Sequence, residues 1–526
     1  MRPALVQCFL LLASVLLFSG ISSRAATWYV ATNGLDGNAG SIGAPFATIM
    51  RAQSAASSGD TVFLRGGNYY LDLSDISFTN NPWRVVNNIS KSGISYLAYS
   101  NELPVFDFSA VLPEPPTNRV TAFRVAASRC VFRGFDVVGV PIVILTNGTQ
   151  SECFRVDGGS QNLFERLRMH DGHGIGFYLT DGASNLVLNC DAYNNSGVNA
   201  NSHGNIDGFG FHAGHTTSVS NVIRGCRAWF NSDDGYDFIN NKAAVVMENC
   251  WALYSGYFTN FTSTGGDANG FKAGGYGITR TSINLNYPTP VPRNVIRFCL
   301  AVRNRASGFY ANHHPDGLDW INNTAYRNGT DYNMLCNSNN VSGTNDCPGY
   351  NHHLRNNVGH LGSKSVSNLD SNRSDIGFNY FTLPVTVSAA DFLSLDESLL
   401  TSPRDASGNL PYLAFAQLVG ASELVDAGTN AGFAFAGSAP DLGAFEYGGR
   451  PPPTFSLQKS GTNLIFTSGL GPAGGTNYLL AATNAALPMS QWARIGTNQF
   501  SATGGFVITN GINAGASPRF YRLGLP

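Results

Sequence analysis

The chain has 526 residues, of which 43% are hydrophobic and only 13% are charged, and its formal net charge is −2. This length exceeds one ordinary domain, and the near-neutral charge argues against a nucleic-acid partner. Glycine is abundant, with 59 residues, whereas charged residues that favour helices are scarce. The composition therefore predicts many short strands joined by tight turns.

Residues 1–25 have the pattern of a secretory signal peptide. Arg2 precedes a mostly apolar run that ends at Phe18, and Ser23, Arg24 and Ala25 fit a small-x-small cleavage site. The run is short for a membrane anchor, and no later apolar run is long enough to span a bilayer. We therefore expect a secreted, extracellular protein without a membrane span. In that compartment Cys336 and Cys347 could form a disulfide.

Residues 45–67 have a helix-like apolar spacing followed by a strand-like run. This pattern predicts a short amphipathic helix ahead of the repeats described next. A helix in that position can cover the open end of a stack of coils.

From residue 185 onward the chain repeats itself. NLVLNCDAYNN begins at residue 185, and related segments begin at residues 221, 245 and 294, with a weaker copy at 319. The basic step of about two dozen residues, with short strands and polar turns, predicts a right-handed parallel β-helix. In this register the cysteines form one column, predicted to be a buried stack of free thiols: Cys190, Cys226, Cys250 and Cys299. The asparagines form a second column, predicted to be a hydrogen-bonded ladder: Asn195, Asn231, Asn304 and Asn328.

Another column follows each asparagine turn and consists of a Gly and then an aromatic residue. Asp207 and Asp234 precede the Gly in two neighbouring coils, while Asp237 and Lys272 follow the aromatic residue. Strands of neighbouring coils lie about 5 Å apart, so these carboxylates and that of Asp233 should converge on one patch. Four carboxylates so close repel one another unless a cation holds them, and oxygen ligands alone suit Ca²⁺. In the simpler alternative, the Asp side chains cap turns and face water.

Lys272 is one of only five lysines in the chain. Unlike Arg, a Lys can lose its proton beside a cation and then act as a general base. A Ca²⁺ and a neutral Lys suit β-elimination on a uronic acid polymer, in which the Lys removes the C5 proton. The alternative is a simple salt bridge between Lys272 and Asp237.

Two other function classes stay open at this point. Asp233 and Asp234 could serve as the carboxylate pair of a glycoside hydrolase. The chain could also be a non-catalytic β-helix that binds polysaccharide, with Ca²⁺ purely structural.

Asp207, DDGYD at residues 233–237 and NGFKAGG at residues 269–275 resemble the motifs of the family 9 polysaccharide lyases, which include pectate lyases on a right-handed parallel β-helix. The resemblance extends from Thr27 to Gly448. It implies Ca²⁺ bound by Asp207, Asp233, Asp234 and Asp237, with Lys272 as the base. It also implies an acidic polysaccharide substrate, polygalacturonate or pectin, with alginate and rhamnogalacturonan as alternatives.

Five residues near the catalytic coils are candidates for substrate binding. Arg can hold a carboxylate bidentately, and the candidates are Arg280, Arg303, Arg305, Asn312 and His313. Their alternative role is surface solubility or loop shape. The long loops at residues 259–267 and 276–293 should form the walls of the cleft.

The chain ends in a second unit. We expect the lyase domain to span residues 26–448, followed by a stiff Pro-rich linker at 449–454. Strand-like runs predict a small β-sandwich-like module at 455–526. We expect the protein to be a monomer.

Overall fold

The computed structural model describes residues 25–114, 118–142, 151–198, 203–262, 265–276, 278–279, 282–283, 287–337, 346–405, 407–448, 454–469, 476–484, 487, 491–501, 505–511 and 519–524. The predicted signal peptide apart from Ala25, the predicted linker apart from Thr454, and the candidate Arg280 lie outside these residues. The predicted division into domains stays a prediction.

Three parallel sheets wind around a common core, as a parallel β-helix requires. The first sheet contains Thr27–Val30, Thr61–Leu64, Ser95–Ala98, Val131–Arg133, Leu163–Glu165, Leu186–Leu188, Asn221–Arg224, Val245–Glu248, Val295–Arg297, Asp319–Ile321 and His353–Arg355. The second contains Gly67–Tyr70, Pro104–Asp107, Asp136–Val138, Arg168–His170, Asp191–Tyr193, Arg227–Trp229, Trp251–Leu253, Leu300–Val302, Thr324–Tyr326 and Val358–His360.

The third sheet carries the Gly-aromatic column. It contains Phe78–Asn80, Trp83–Ile89, Arg119–Val125, Glu152–Asp157, Ile175–Asp181, Phe209–Phe211, Tyr236–Asp237, Phe271–Lys272, Ser307–Tyr310, Thr330–Asn333 and Val366–Ser367. The strand Phe78–Asn80 is antiparallel to its neighbour, and the others run parallel. The predicted β-helix is confirmed.

The aromatic residues of this column fill the core beneath the third sheet. Phe209, Tyr236, Phe271 and Phe309 stack in register, with ring centroids 5.1, 4.9 and 5.0 Å apart. The preceding Gly is required by space, because a Cβ at Gly235 would lie 2.8 Å from the carbonyl oxygen of the next coil's Gly. The core therefore holds the flanking positions of the column at the spacing of the strands.

The asparagine and cysteine columns are also present. The Nδ2 of Asn195 donates to Oδ1 of Asn231 at 3.2 Å, and Asn304 donates to Asn328 in the same way at 2.9 Å. The four predicted core cysteines are buried and free. Cys336 and Cys347 face each other across a two-stranded antiparallel hairpin, Leu335–Asn337 with Asp346–Pro348, and are not bonded to each other in this structure.

A short helix, Ile49–Ala55, caps the N-terminal end of the coils, as the apolar spacing predicts. Thr48 accepts the backbone N–H of Arg51 and caps the helix. Ile49 and Ala52 are buried against the core. Among the described residues, the other helical elements are three 3-10 turns at Leu73–Asp75, Ala389–Asp391 and Glu397–Leu399.

The stretch after the last coil folds back over the second sheet. Arg404 donates to Asp191, which also pairs with Arg227, and all three side chains are largely buried. Phe392, Leu400 and other apolar residues of this stretch pack on the same face. The second sheet is thereby covered, whereas the outer face of the third sheet carries the acidic column.

The C-terminal module consists of two three-stranded antiparallel sheets, consistent with the predicted β-sandwich-like unit. One contains Thr454–Ser460, Asn463–Gly469 and Phe506–Gly511, and the other Ala493–Gln499, Thr476–Ala482 and Phe520–Gly524.

Outside this module, a further small hairpin pairs Ile278–Thr279 with Ser282–Ile283. None of the described helices has the length and apolar character needed to cross a membrane.

Candidate active site

The predicted register of the acidic column is confirmed. Asp237 pairs directly with Lys272 in the neighbouring strand of the third sheet. The backbone N–H of Asp234 donates to Oδ1 of Asp207, 3.1 Å away in the preceding coil. The Nζ of Lys272 lies 3.0 Å from Oδ2 of Asp234 and 3.2 Å from Oδ2 of Asp237. Stacking of coils therefore brings together residues that are up to 65 positions apart.

Backbone N–H groups hold the carboxylates in place. Asp234 Oδ1 accepts both the backbone N–H and the side-chain amide of Asn269, at 2.7 and 3.0 Å. Asp233 accepts the backbone N–H of Asn205 at 2.5 Å and that of Asp267. Because these donors belong to different coils, the carboxylate positions are fixed by the stacking itself.

The cluster is buried and carries more negative than positive charge. Asp234 and Asp207 are 0% and 1% exposed. Burial, followed by the charges of the neighbouring carboxylates, raises the pKa of Asp207 well above its ordinary value. Burial also raises the pKa of Asp234, against the opposing charge of Lys272.

The excess of negative charge also shifts the pKa of Lys272. Burial acts to lower the pKa of Lys272, but the charges of Asp234, Asp237, Asp233 and Asp267 outweigh burial and hold that pKa well above its ordinary value. The raised pKa values of Asp207, Asp234 and Lys272 together mean that one ammonium group does not balance the carboxylates around it. A further positive charge would be stabilised here.

The donor set fits a hard cation. Oxygen atoms of Asp207, Asp234 and Asp237 all lie within 4.8 Å of one another, and a second triplet joins Asp233, Asp234 and Asp267. Oδ2 of Asp234 is buried and accepts no hydrogen bond from the described residues, although it is paired with Lys272. An all-oxygen set of buried carboxylates suits Ca²⁺ better than Zn²⁺.

Residues 28–357 match the family described as "Pel9A-like, right handed beta helix region". The chain belongs to this family. It is 36% identical to "Pectate lyase L" of Dickeya chrysanthemi over 443 residues, which cover 82% of this chain and 92% of that protein. The predicted relationship to the family 9 polysaccharide lyases is confirmed, and the chain is a polysaccharide lyase.

Two solved structures share the fold over most of their length. One, titled "Rhamnogalacturonan lyase", is 39% identical, with a TM-score of 0.72, and the match covers 75% of this chain and 97% of that one. The other, the crystal structure of pectate lyase Pel9A, is 32% identical, with a TM-score of 0.64, and covers 81% and 98%. Both support the right-handed β-helix predicted for this member of the Pel9A-like family.

Sequence reasoning missed Asp267 as a partner of the cluster in this family member. Its Oδ2 lies 3.0 Å from Nζ of Lys272, while its side chain is 66% exposed. Asp267 belongs to the loop predicted to form a wall of the cleft, and its position two residues before the NGFK motif was the available signal.

Sequence reasoning also missed His212 as a neighbour of the cluster. Its Nε2 lies 3.8 Å from Oδ1 of Asp237, and its Nδ1 is hydrogen bonded to the hydroxyl of Tyr178.

The two described arginine candidates have structural contacts. Arg303 lies 3.6 Å from Glu397 and stacks over the ring of Phe261, which ties it to the C-terminal stretch. Arg305 donates to the carbonyl oxygen of Gly266 at 2.7 Å and so supports the loop that carries Asp267. Their proposed contact with substrate stays a prediction.

The other two substrate-binding candidates also lie close to Lys272. Asn312 is buried and donates to the carbonyl oxygen of Gly274 at 2.7 Å, which supports the backbone after Lys272. His313 pairs with Asp346 at 2.7 Å, and its ring meets the edge of Tyr310. Tyr310 is the strand neighbour of Lys272, so His313 lies one side chain away from the predicted base.

Proposed function

We propose that this protein is a secreted, monomeric, Ca²⁺-dependent lyase that cleaves a galacturonate-containing polysaccharide by β-elimination, with Lys272 as the base. One observation carries the proposal: Nζ of Lys272 lies within 3.2 Å of two carboxylates of a buried all-oxygen cluster. A Lys in this position meets the substrate at the place where a cation would hold a uronate carboxylate. The family membership supports the lyase reaction.

Asp207, Asp233, Asp234 and Asp237 would hold the cation. Bound Ca²⁺ supplies positive charge that makes the C5 proton of a uronate more acidic. Lys272 in its neutral form accepts this proton at Nζ, so the positive charge of the cation would have to offset the carboxylates that otherwise raise the pKa of Lys272. The bond between C4 and the glycosidic oxygen then breaks as a C4–C5 double bond forms, and the oxygen leaves with the bonding electrons and takes up a proton from water. No water attacks, so the reaction needs no second carboxylate as nucleophile or base.

The geometry disfavours the alternative of hydrolysis. A glycosidase places its two carboxyl groups on opposite sides of the scissile bond, at about 5 Å or more from each other. Here carboxylate oxygens of Asp233, Asp234 and Asp267 lie within 4.8 Å of one another, as do those of Asp207, Asp234 and Asp237, and Asp234 and Asp237 both pair with Lys272. They leave no room for a sugar between them, which favours elimination.

The first substrate to test is polygalacturonate, because the relatives over most of this chain carry the name pectate lyase. Rhamnogalacturonan is the second candidate, because the structure titled "Rhamnogalacturonan lyase" is 39% identical and has a TM-score of 0.72. Both polymers contain galacturonate, so the same base and cation would serve either.

The test is the rise in ultraviolet absorbance from unsaturated uronate, measured on both polymers with Ca²⁺ or with chelator. We expect a rise on one polymer that chelator abolishes. Lys272→Ala should reduce the rate by roughly 10³-fold, as loss of a general base does. Lys364→Ala, which removes an exposed lysine, should leave the rate unchanged.

New reducing ends without unsaturated product would refute elimination. Full activity in chelator would refute the role of Ca²⁺, and full activity of Lys272→Ala would refute the role of the lysine. If neither polymer gives either signal, the galacturonate assignment is wrong.

A further inference from the structure

The position after each core aromatic residue, together with Asn88 in the strand before the first of them, forms a line along the third sheet. Strand pairing joins these positions directly from one coil to the next. From the N-terminal end the line reads Asn88, Arg124, Arg155, Tyr178, Gly210, Asp237, Lys272 and Tyr310. The catalytic Lys272 is thus one point on a continuous surface, and basic and aromatic residues occupy the same line farther up.

The line continues without a barrier from the acidic cluster to Arg155. Gly210 has no side chain, and the ring of Tyr178 leans over it, 2.7 Å from where a Cβ would be. The hydroxyl of Tyr178 is hydrogen bonded to His212, 3.0 Å away, which fixes the ring beside the cluster. Four strand steps separate Lys272 from Arg155, which corresponds to about 19 Å.

Arg155 is held between two aromatic rings. Its guanidinium carbon lies 5.1 Å from the ring centroid of Trp83 and 5.6 Å from that of Tyr178. Arg119, in the strand next to Trp83, approaches the Trp83 ring at 5.5 Å. Glu152 pairs with Arg155 at 2.9 Å. We call Trp83, Arg119, Arg155 and Tyr178 the distal platform.

The chemistry of the distal platform suits an acidic sugar. A flat aromatic ring can stack on a sugar, and a guanidinium whose faces are covered still offers N–H groups at its edge to a carboxylate. Trp83, Arg119 and Arg155 are partly exposed. The Nε1 of Trp83 is buried and donates no hydrogen bond within the described part of the chain.

The local charge is also positive, in contrast to the acidic cluster. The two guanidinium groups of the distal platform, those of Arg119 and Arg155, lie beside one carboxylate, that of Glu152, whereas Arg124 pairs with Asp157 farther along the strands. A polyanion that leaves the cluster along the sheet therefore meets a basic surface at its far end. Charge complementarity and continuity with the active site both select the polysaccharide as the occupant.

We propose that the distal platform binds an acidic sugar of the same polysaccharide chain that is cleaved at Lys272, four strand steps away. The proposal rests on the proposed function, because it takes the substrate to be a uronate polymer. Since the two places lie about 19 Å apart, only chains of several sugar units reach both. The protein should therefore favour long substrates over short ones.

The first experiment compares kcat/KM for the polymer with kcat/KM for trigalacturonate, in wild type and in Trp83→Ala. We expect the ratio of polymer to trimer to fall about tenfold in the variant, from the loss of one stacking contact. Tyr70→Ala is the matched control, because Tyr70 is 74% exposed and lies on the second sheet. It should leave the ratio unchanged.

The second experiment measures binding without turnover, in the Lys272→Ala background with Ca²⁺ present. Titration with polygalacturonate should give an affinity about tenfold weaker when Trp83→Ala is added. Trp83→Phe keeps an aromatic ring for packing and therefore controls for misfolding. When polymer binds, this variant should lack the contribution of Trp83 to the change in tryptophan fluorescence.

An unchanged ratio in Trp83→Ala, with unchanged polymer affinity, would overturn the proposal and leave the platform a packing feature. A fluorescence change in Trp83→Phe as large as that of the parent would do the same. If the wild type cleaves neither polygalacturonate nor rhamnogalacturonan, the proposed function fails. The binding titration then still decides whether the platform holds an acidic chain.

Discussion

Replacing Asp207 by Asn should stabilise the protein in chelator and remove most of its response to Ca²⁺. Asp207 is 1% exposed and faces the carboxylates of Asp234 and Asp237 within 4.8 Å. Asn keeps an oxygen that can accept the backbone N–H of Asp234, now 3.1 Å from Oδ1. The substitution therefore removes the charge and little else.

The size of the effect has an upper limit that follows from proton binding. An Asp with a pKa of about 3.9 in the unfolded chain can become neutral in an unfavourable folded site by taking up a proton. At pH 7 this protonation costs about 1.36 kcal/mol for each of roughly three pH units, or about 4 kcal/mol, which limits the destabilisation by the charge. We expect Asp207→Asn to raise the free energy of unfolding in chelator by about 2–4 kcal/mol.

The pH dependence follows from the sign of the shift. The pKa of Asp207 is raised in the fold, by burial first and by neighbouring carboxylates second. The folded state then binds the proton more tightly than the unfolded state, so wild type loses stability as pH rises above about 4. The advantage of the Asn variant should be absent near pH 4 and grow toward pH 7.

Urea denaturation followed by circular dichroism, in chelator and in Ca²⁺, measures both effects. At 100 times the dissociation constant, Ca²⁺ should stabilise wild type by about 2.7 kcal/mol and the variant by much less. Asp319→Asn is the matched control, because Asp319 pairs with Arg293 on the first sheet, and it should respond to Ca²⁺ as wild type does. A less stable Asp207→Asn in chelator, or an equal gain from Ca²⁺, would refute the reasoning.

Three further predictions concern stability away from the cluster. Burial lowers the pKa of His314 to about 4, so the free energy of unfolding should fall by up to about 3 kcal/mol as the pH falls from 6.5 toward 4. Urea unfolding at these two pH values should show a smaller fall for His314→Gln, and an equal fall would contradict this. Arg404→Ala removes one of the partners of buried Asp191 and should lower the free energy of unfolding by about 3 kcal/mol, partly restored in Arg404→Lys. Asn304→Ala removes three ladder hydrogen bonds and should cost about 3 kcal/mol, whereas the exposed Asn68→Ala should cost little.

The core of the candidate site was predictable from the sequence because the fold is periodic. In a stack of coils, residues at the same repeat position become neighbours across one strand spacing. Alignment of the Gly-aromatic column therefore predicts that Asp237 meets Lys272 and that Asp207 meets Asp234, and both contacts are present. The same argument accounts for the asparagine ladder and the stacked thiols.

The surroundings of the site were not predictable in the same way. Asp267 reaches Lys272 from a loop, and a loop has no repeat register that would place it. Arg303 and Arg305 follow the coils of the acidic cluster in sequence, but their side chains contact Glu397 and the Gly266 backbone. Proximity in sequence is a poor guide in a β-helix, because adjacent turns point to different faces.

The sequence by itself thus determined the coil, its columns and the cluster of carboxylates around one lysine, since each depends only on the repeat. Only the tertiary structure decided which loop residue completes that cluster and where the surface continues. The coils before residue 185 lack the clear repeat copies, so Arg155 and Trp83 could not be aligned with Lys272 from sequence. Strand pairing across four coils puts Arg155 on the same line as the lysine, because parallel strands carry one register through the whole sheet.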